Sequence, residues 1–299
     1  MRGQPGTGSL WTGSSPTSPL DLQPNEIVKI PFILLLAWHG RPASTSRSGT
    51  SAPPFSVAQL TGHTLLMVGL IAVVCGDIGM CVIYLFLFVT ISWMAGVKAR
   101  WFALGGTCFV GAILGAWFTI LQSDRFAYIR NRFMVVLDHS LDPLGAGFQQ
   151  SRSLLAIGSG QLTGQGYLNG TQTQASYSAA LPARQTDFIF SVCGEELGMV
   201  GCLLLLLVLA LIILRCYWVG RNASSPFSAY VSMGIAGMLL AQVFFNVGMC
   251  LYILPVMGLT LPFFSYGGSS IITLYTAMGI VSSIRARTLP SWLRDRNQL

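Results

Sequence analysis

Residues 186–201 read TDFIFSVCGEELGMVG and run directly into CLLLLLVLALIIL at 202–214. The combined stretch is long and apolar enough for a bilayer-crossing helix, which needs about 20 residues. Yet its first half places three carboxylates, Asp187, Glu195 and Glu196, at the mouth of that helix. An ionised carboxylate in hydrocarbon is costly unless it is paired or lines a wet cavity. The stretch therefore reads as a membrane span whose mouth carries polar groups in need of partners.

Working outward, the 299-residue chain is 53% hydrophobic and only 9% charged; a soluble domain carries about 25% charged residues. Apolar segments fall at 24–38, 61–76, 79–97, 101–121, 188–218, 227–255 and 264–284. The fold class expected is an all-α polytopic membrane protein of about seven transmembrane helices, with one long extracytoplasmic loop at 122–187. Loops of that length tend to be functional. Residues 1–21, rich in Gly, Ser, Thr and Pro, read as a disordered tail without the features of a signal peptide. Residues 22–287 read as the transmembrane domain and 288–299 as a cytoplasmic C-terminal tail.

The seven cysteines lie in or beside apolar runs with no CxxC pair, so they read as small buried hydrophobes. Histidines at 39, 63 and 139 have no metal-ligand spacing. The net charge of +7 reads as topology and not as nucleic-acid affinity. Arg285, Arg287, Arg294 and Arg296 follow the last segment, which assigns the C-terminus to the cytoplasm. Arg215 and Arg221, Lys98 and Arg100, and Arg41 and Arg47 then fall on that same side. Asp21, Glu26, Asp77, Asp124, Asp138, Asp142 and Asp187 gather on the other side, with the long loop.

Each polar residue has a plain structural explanation beside a functional one. Asp187 can cap the helix that follows it. Glu195 and Glu196 point about 100° apart on a helix, so at most one is expected to face any given partner; bonds to neighbouring helices, or a protonated carboxyl, are the simpler account. In LQPNEIVKIP (22–31), Glu26 and Lys29 are spaced i, i+3, as in an intrahelical ion pair, and Pro31 should bend the helix. Asp77, in CGDIGM (75–80), suits a tight turn. GSGQLTGQG (158–166) has the wrong spacing for a phosphate-binding GxGxxG loop. In LPFFSYGGSS (261–270), the small residues suit close helix packing.

Three longer stretches, DPLGAGFQQSRSLLAIGSG (142–160), LPARQTDFIFSVCGEELGMVG (181–201) and NVGMCLYILPVMGLTLPFFSYGGSS (246–270), resemble the SEDS family (shape, elongation, division and sporulation). These are the RodA/FtsW-like peptidoglycan glycosyltransferases. LQPNEIVKI and GDIGM resemble two further stretches of that family. The resemblance implies an enzyme that polymerises lipid II, the undecaprenyl-diphosphate-linked disaccharide peptide, at the outer face of the bacterial cytoplasmic membrane. It implies a class B penicillin-binding protein as transpeptidase partner and no nucleic acid.

The family's essential aspartate falls on Asp187, and its paired glutamate and lysine on Glu26 and Lys29. The transfer needs a carboxylate base near the attacking hydroxyl and positive charge where the diphosphate departs. Asp187 is expected as the base. Lys29 and the loop arginines Arg130, Arg132, Arg152 and Arg184 are expected on the diphosphate, with Glu26 holding Lys29. No cofactor is called for, and a divalent cation at the diphosphate stays open.

This chain departs from the family pattern in places. Ala183 and Gln185 stand where the family has glutamate and histidine. The resemblance starts at the family's fourth spanning helix, so counterparts of the first three are expected to be missing. An incomplete bundle should leave Lys29 open to lipid. Two other functions fit the same residues: a flippase for lipid-linked precursor, and a non-catalytic scaffold that binds a transpeptidase.

Overall fold

The computed structural model describes residues 23–40, 54–119, 134, 146–174 and 181–288. The tail at 1–21, Arg130, Arg132, most of the first half of the long loop and the tail beyond Thr288 lie outside the described residues. Among the described residues there are helices and turns and no strand.

Helix α1 (Pro24–His39) starts with proline in its first turn and continues through Pro31. α2 (Pro54–Leu70) passes into a π-helical turn at Ile71–Cys75. Gly76 ends that turn at φ 63°, its N–H bonded to Ile71 O. α3 (Ile78–Met94) is capped by Asp77, whose Oδ1 accepts from Met80 N at 3.0 Å. Asp77 is thus a helix N-cap, a more specific role than the turn expected for it. α4 (Ala99–Thr119), α5 (Ala146–Ser159), α6 (Ile189–Arg221), α7 (Pro226–Cys250) and α8 (Gly268–Thr288) follow.

Each apolar segment expected from sequence contains or overlaps one of these helices, and the chain is an all-α polytopic membrane protein. Val57–Cys75, Ile189–Arg221 and Pro226–Cys250 are long and apolar enough to cross a bilayer by themselves, and Ile78–Met94 is a shorter apolar helix. α5, inside the long loop, was not expected.

α7 is the hub, packed by α6, α3, α1 and α8. Its glycines allow close approach: a Cβ at Gly234 would lie 3.0 Å from Ile33 and 3.1 Å from Ile91. Between helices in lipid there is little hydrophobic driving force, so such van der Waals contact carries the packing. Ile33, Leu36, Tyr84, Leu87, Ile91, Met238 and Leu239 fill the centre, while Leu203, Leu204, Leu207, Leu211 and Leu214 on α6 face outward.

The bundle has two unlike ends. One gathers the starts of α1, α3, α6 and α8, the end of α7, and α5; it is the loop end. The described carboxylates Glu26, Asp77, Asp187, Glu195 and Glu196 all belong to it. The other end carries Lys98, Arg100, Arg215, Arg221, Arg285 and Arg287.

Candidate functional site

At the loop end α6 is broken. Gly198 has φ 69° and ψ −170°, outside helical values. Its neighbours lose their helical partners and find others in the loop after α5. Met199 N donates to Gln161 O at 2.9 Å and Val200 N to Leu162 O at 3.2 Å. On the other side of the break, Glu195 O accepts from Gln165 N at 2.9 Å and Glu196 O from Gly166 N at 3.0 Å. A stretch of loop has been inserted into the helix ladder, and all four backbone groups are satisfied. Non-helical backbone in a membrane protein persists only where it is buried like this.

The insertion explains the glycines of GSGQLTGQG. A Cβ at Gly160 would collide with Gly194 O, and one at Gly164 with Glu196 O. They are there for backbone contact.

The two glutamates hold the rest of the loop. Glu195 is fully buried; it accepts from Gln172 N (2.8 Å), Thr173 N (2.9 Å) and Thr171 Oγ1 (3.1 Å), while Ser159 Oγ, 3.4 Å away, gives its proton to Ala156 O at 2.8 Å. Glu196 accepts from Gln174 Nε2 (2.8 Å), Leu168 N (3.1 Å) and Thr173 Oγ1 (3.2 Å). Thr173 therefore bonds to both carboxylates. This corrects the expectation that the two side chains must serve different partners: the loop wraps the broken turn and reaches both. The partners are loop donors, not the neighbouring helices expected.

α5 is fastened to the end of α7, where helical carbonyls lack intrahelical donors. Gln150 Nε2 donates to Met249 O at 3.1 Å and Leu254 O at 2.6 Å. Ser153 Oγ donates to Cys250 O at 2.7 Å and shares a 2.5 Å bond with Ser191 Oγ. Since Ser153 has a single hydroxyl proton, Ser191 is the donor to it.

Asp187 sits half-buried one residue before the N-cap position of α6. That position belongs to Phe188, which makes no side-chain cap bond. The backbone around Asp187 is clamped from three sides. Asn246 Nδ2 donates to Asp187 O at 2.8 Å and to Leu259 O at 2.6 Å. Ser265 Oγ donates to Thr186 O, and Tyr266 N donates to Gln185 O at 2.8 Å. Cys250 Sγ adds a 3.7 Å contact to Asp187 O. The carboxylate lies over Gly258, where a Cβ would sit 3.9 Å from Oδ2.

Asn246→Ala leaves Asp187 O and Leu259 O without this shared donor. A loss of about 1–3 kcal/mol is expected, read as a lower thermal midpoint of the purified protein.

Glu26 and Lys29 form an ion pair within α1. Lys29 is 1% exposed and Glu26 3%. Lys29 is thus enclosed by this bundle, against the expectation that it would lie open to lipid. Tyr84 Oη donates to Asn25 O at 3.1 Å, and Cys75 lies 3.2 Å from Asn25 Oδ1, closing the start of α1. Asp77 contributes to the field at Lys29. The 256–259 segment links α3 to Asp187: Gly79 of α3 packs against Met257 and Leu259, and Gly258 lies under the Asp187 carboxylate.

Breaking such a pair is expensive. Lys29→Met should cost about 3–5 kcal/mol by leaving Glu26 buried and alone, whereas replacing both residues by methionine should restore most of the stability. Thermal unfolding of the single and double variants decides it, and equal melting of the two would refute the account.

Among the loop arginines, Arg152 Nη1 donates to Gln172 Oε1 at 3.1 Å, and its guanidinium lies 5.1 Å from the Phe148 ring centroid. Arg184, half-buried, is three residues before Asp187. The structure brings Arg152 to the loop held by Glu195 and places Arg184 beside the Asp187 clamp. Sequence reasoning missed Asn246, Gly258 and Ser265. The signal for Asn246 was an amide, one of two with Gln242, inside the apolar length of α7.

Known proteins show the same architecture. A family model described as "Cell cycle protein", for FtsW, RodA and SpoVE, matches residues 16–289. The chain belongs to this family. It is 36% identical over 262 residues to the peptidoglycan glycosyltransferase MrdB of Escherichia coli strain K12, covering 88% of this chain and 67% of that one. It is 30% identical, at a TM-score of 0.71, to a chain of a peptidoglycan synthase complex that coordinates polymerization and crosslinking, covering 92% and 73%. It is 27% identical, at a TM-score of 0.59, to the rod shape determining protein RodA of Thermus thermophilus, covering 92% and 69%. The chain spans about two thirds of the length of its Escherichia coli relative.

Proposed function

We propose that this chain is a peptidoglycan glycosyltransferase that polymerises lipid II, with residues 22–287 as one transmembrane unit. The loop end faces the outside of the bacterial cytoplasmic membrane and the arginine end the cytoplasm, in keeping with the positive-inside rule. Asp187 takes the proton of the attacking sugar hydroxyl. Arg184 and Arg152, with Arg130 and Arg132, stabilise the departing diphosphate. Lys29, enclosed with Glu26, acts through its field. A class B penicillin-binding protein is the transpeptidase partner.

The observation that carries this reading is the clamp on Asp187. Three separate side-chain or backbone donors fix residues 185–187, and Asp187 itself is only partly buried. Rigid placement of an accessible carboxylate is what a general base requires.

The test is incubation of the purified protein with labelled lipid II, with and without a class B penicillin-binding protein. Glycan polymer is the expected product. Movement of labelled lipid across a proteoliposome bilayer with no polymer formed would replace this reading by the flippase one.

A further inference from the structure

The arginine end contains an arrangement that the transfer chemistry does not use. Arg215 on α6 and Arg285 in the last turn of α8 both lie against the indole of Trp218, with guanidinium carbons 4.6 and 4.7 Å from the ring centroid. The two guanidiniums are therefore no further apart than those two distances combined. Two like charges have been gathered on one ring. Cation–π attraction accounts for each contact with the indole, but not for the repulsion between the arginines.

Among the described residues neither arginine has a carboxylate partner: the described ion pair is Lys29 with Glu26, and the described carboxylates all sit at the loop end. The position is telling. Trp218 is 42% exposed near the end of α6, and Leu211, Leu214 and Tyr217 beside it are also exposed. Exposed tryptophan and tyrosine at the end of an apolar span mark the headgroup level of a bilayer. An anion entering there would meet two guanidinium forks, the side chain best suited to bidentate phosphate recognition. Its apolar remainder would run along the leucines of α6.

We propose that Arg215, Trp218 and Arg285 form a site for the phosphodiester of an anionic phospholipid, which fastens α6 to α8. The inference needs only the membrane-spanning fold and is independent of the glycosyltransferase reading.

The experiment compares thermal unfolding of the full chain in nanodiscs of phosphatidylcholine with nanodiscs containing phosphatidylglycerol. A ligand that binds only the folded state raises the midpoint by mass action, and a rise of a few degrees is expected. The R215Q/R285Q variant should lose the rise and melt like the native chain in phosphatidylcholine. The K98Q/R100Q variant removes the same charge from the same end and should keep the rise, separating a site from a general field. If the double variant does not fold, R215Q alone, changing one exposed side chain, should at least halve the rise. No rise for the native chain, a rise retained by the arginine variants, or an equal rise from inorganic phosphate in phosphatidylcholine would each overturn the proposal.

Discussion

Asp187→Asn is expected to cut glycan polymerisation by about 10²–10⁴-fold, the range that a positioned general base contributes. The substitution is nearly isosteric and removes the proton acceptor. It should leave the clamp intact, because Asn246 and Cys250 bond to the backbone carbonyl of residue 187 and not to its side chain. The thermal midpoint should therefore stay within the small range of ordinary half-buried substitutions, which separates lost chemistry from lost fold. Binding of lipid II should change less than turnover, since the arginines remain. The measurement is polymer yield per unit time from labelled lipid II, beside a melting curve of the same preparation. Native turnover in the Asp187→Asn protein would remove Asp187 from the mechanism. Unchanged movement of lipid, with no polymer from either protein, would favour the flippase.

The spans were legible in the sequence and their connections much less so. α2, α6 and α7 announce themselves by apolar length, and α3 as a shorter apolar run; in a bilayer such length is nearly sufficient to define a helix. α5 has no such signal: AGFQQSRSLLAIGS is a short, mixed stretch, and its stability comes from Gln150 and Ser153 reaching the carbonyls of α7. The partners of Glu195 are largely backbone N–H groups of residues 172 and 173, and a backbone donor leaves no trace in residue identity. What the sequence did carry was indirect, in glycines at 160, 164, 194 and 198 whose spacing fits no nucleotide motif. Those glycines mark where one backbone lies on another. The position of Lys29 was misread because exposure to lipid was judged from helices thought to be missing, while α1 buries its own polar face against the helices present.

Glu195→Ala should be among the most destabilising single changes at the loop end. It deletes the acceptor for Gln172 N and Thr173 N, both in the buried or half-buried part of the loop. Each stranded donor costs about 1–3 kcal/mol, and the hydroxyl of Thr171 loses an acceptor as well. Glu195→Gln keeps one acceptor oxygen and should fall between the native protein and the alanine variant. Because the carboxylate ties loop to helix and not helix to helix, the loss should be local before it is global. Protease cleavage within residues 160–174 should accelerate while α7 and α8 stay protected. The effect on function follows the same path. Arg152 is held by Gln172, and Gln172 by Glu195, so a freed loop carries Arg152 away from its place. Weaker use of lipid II is then expected, read mainly as a raised KM, even though the Asp187 clamp does not include Glu195. An alanine variant that melts and is cleaved like the native protein would show that the loop is held by its insertion at Gly198 alone. Glu195 would then have no structural reason to be there.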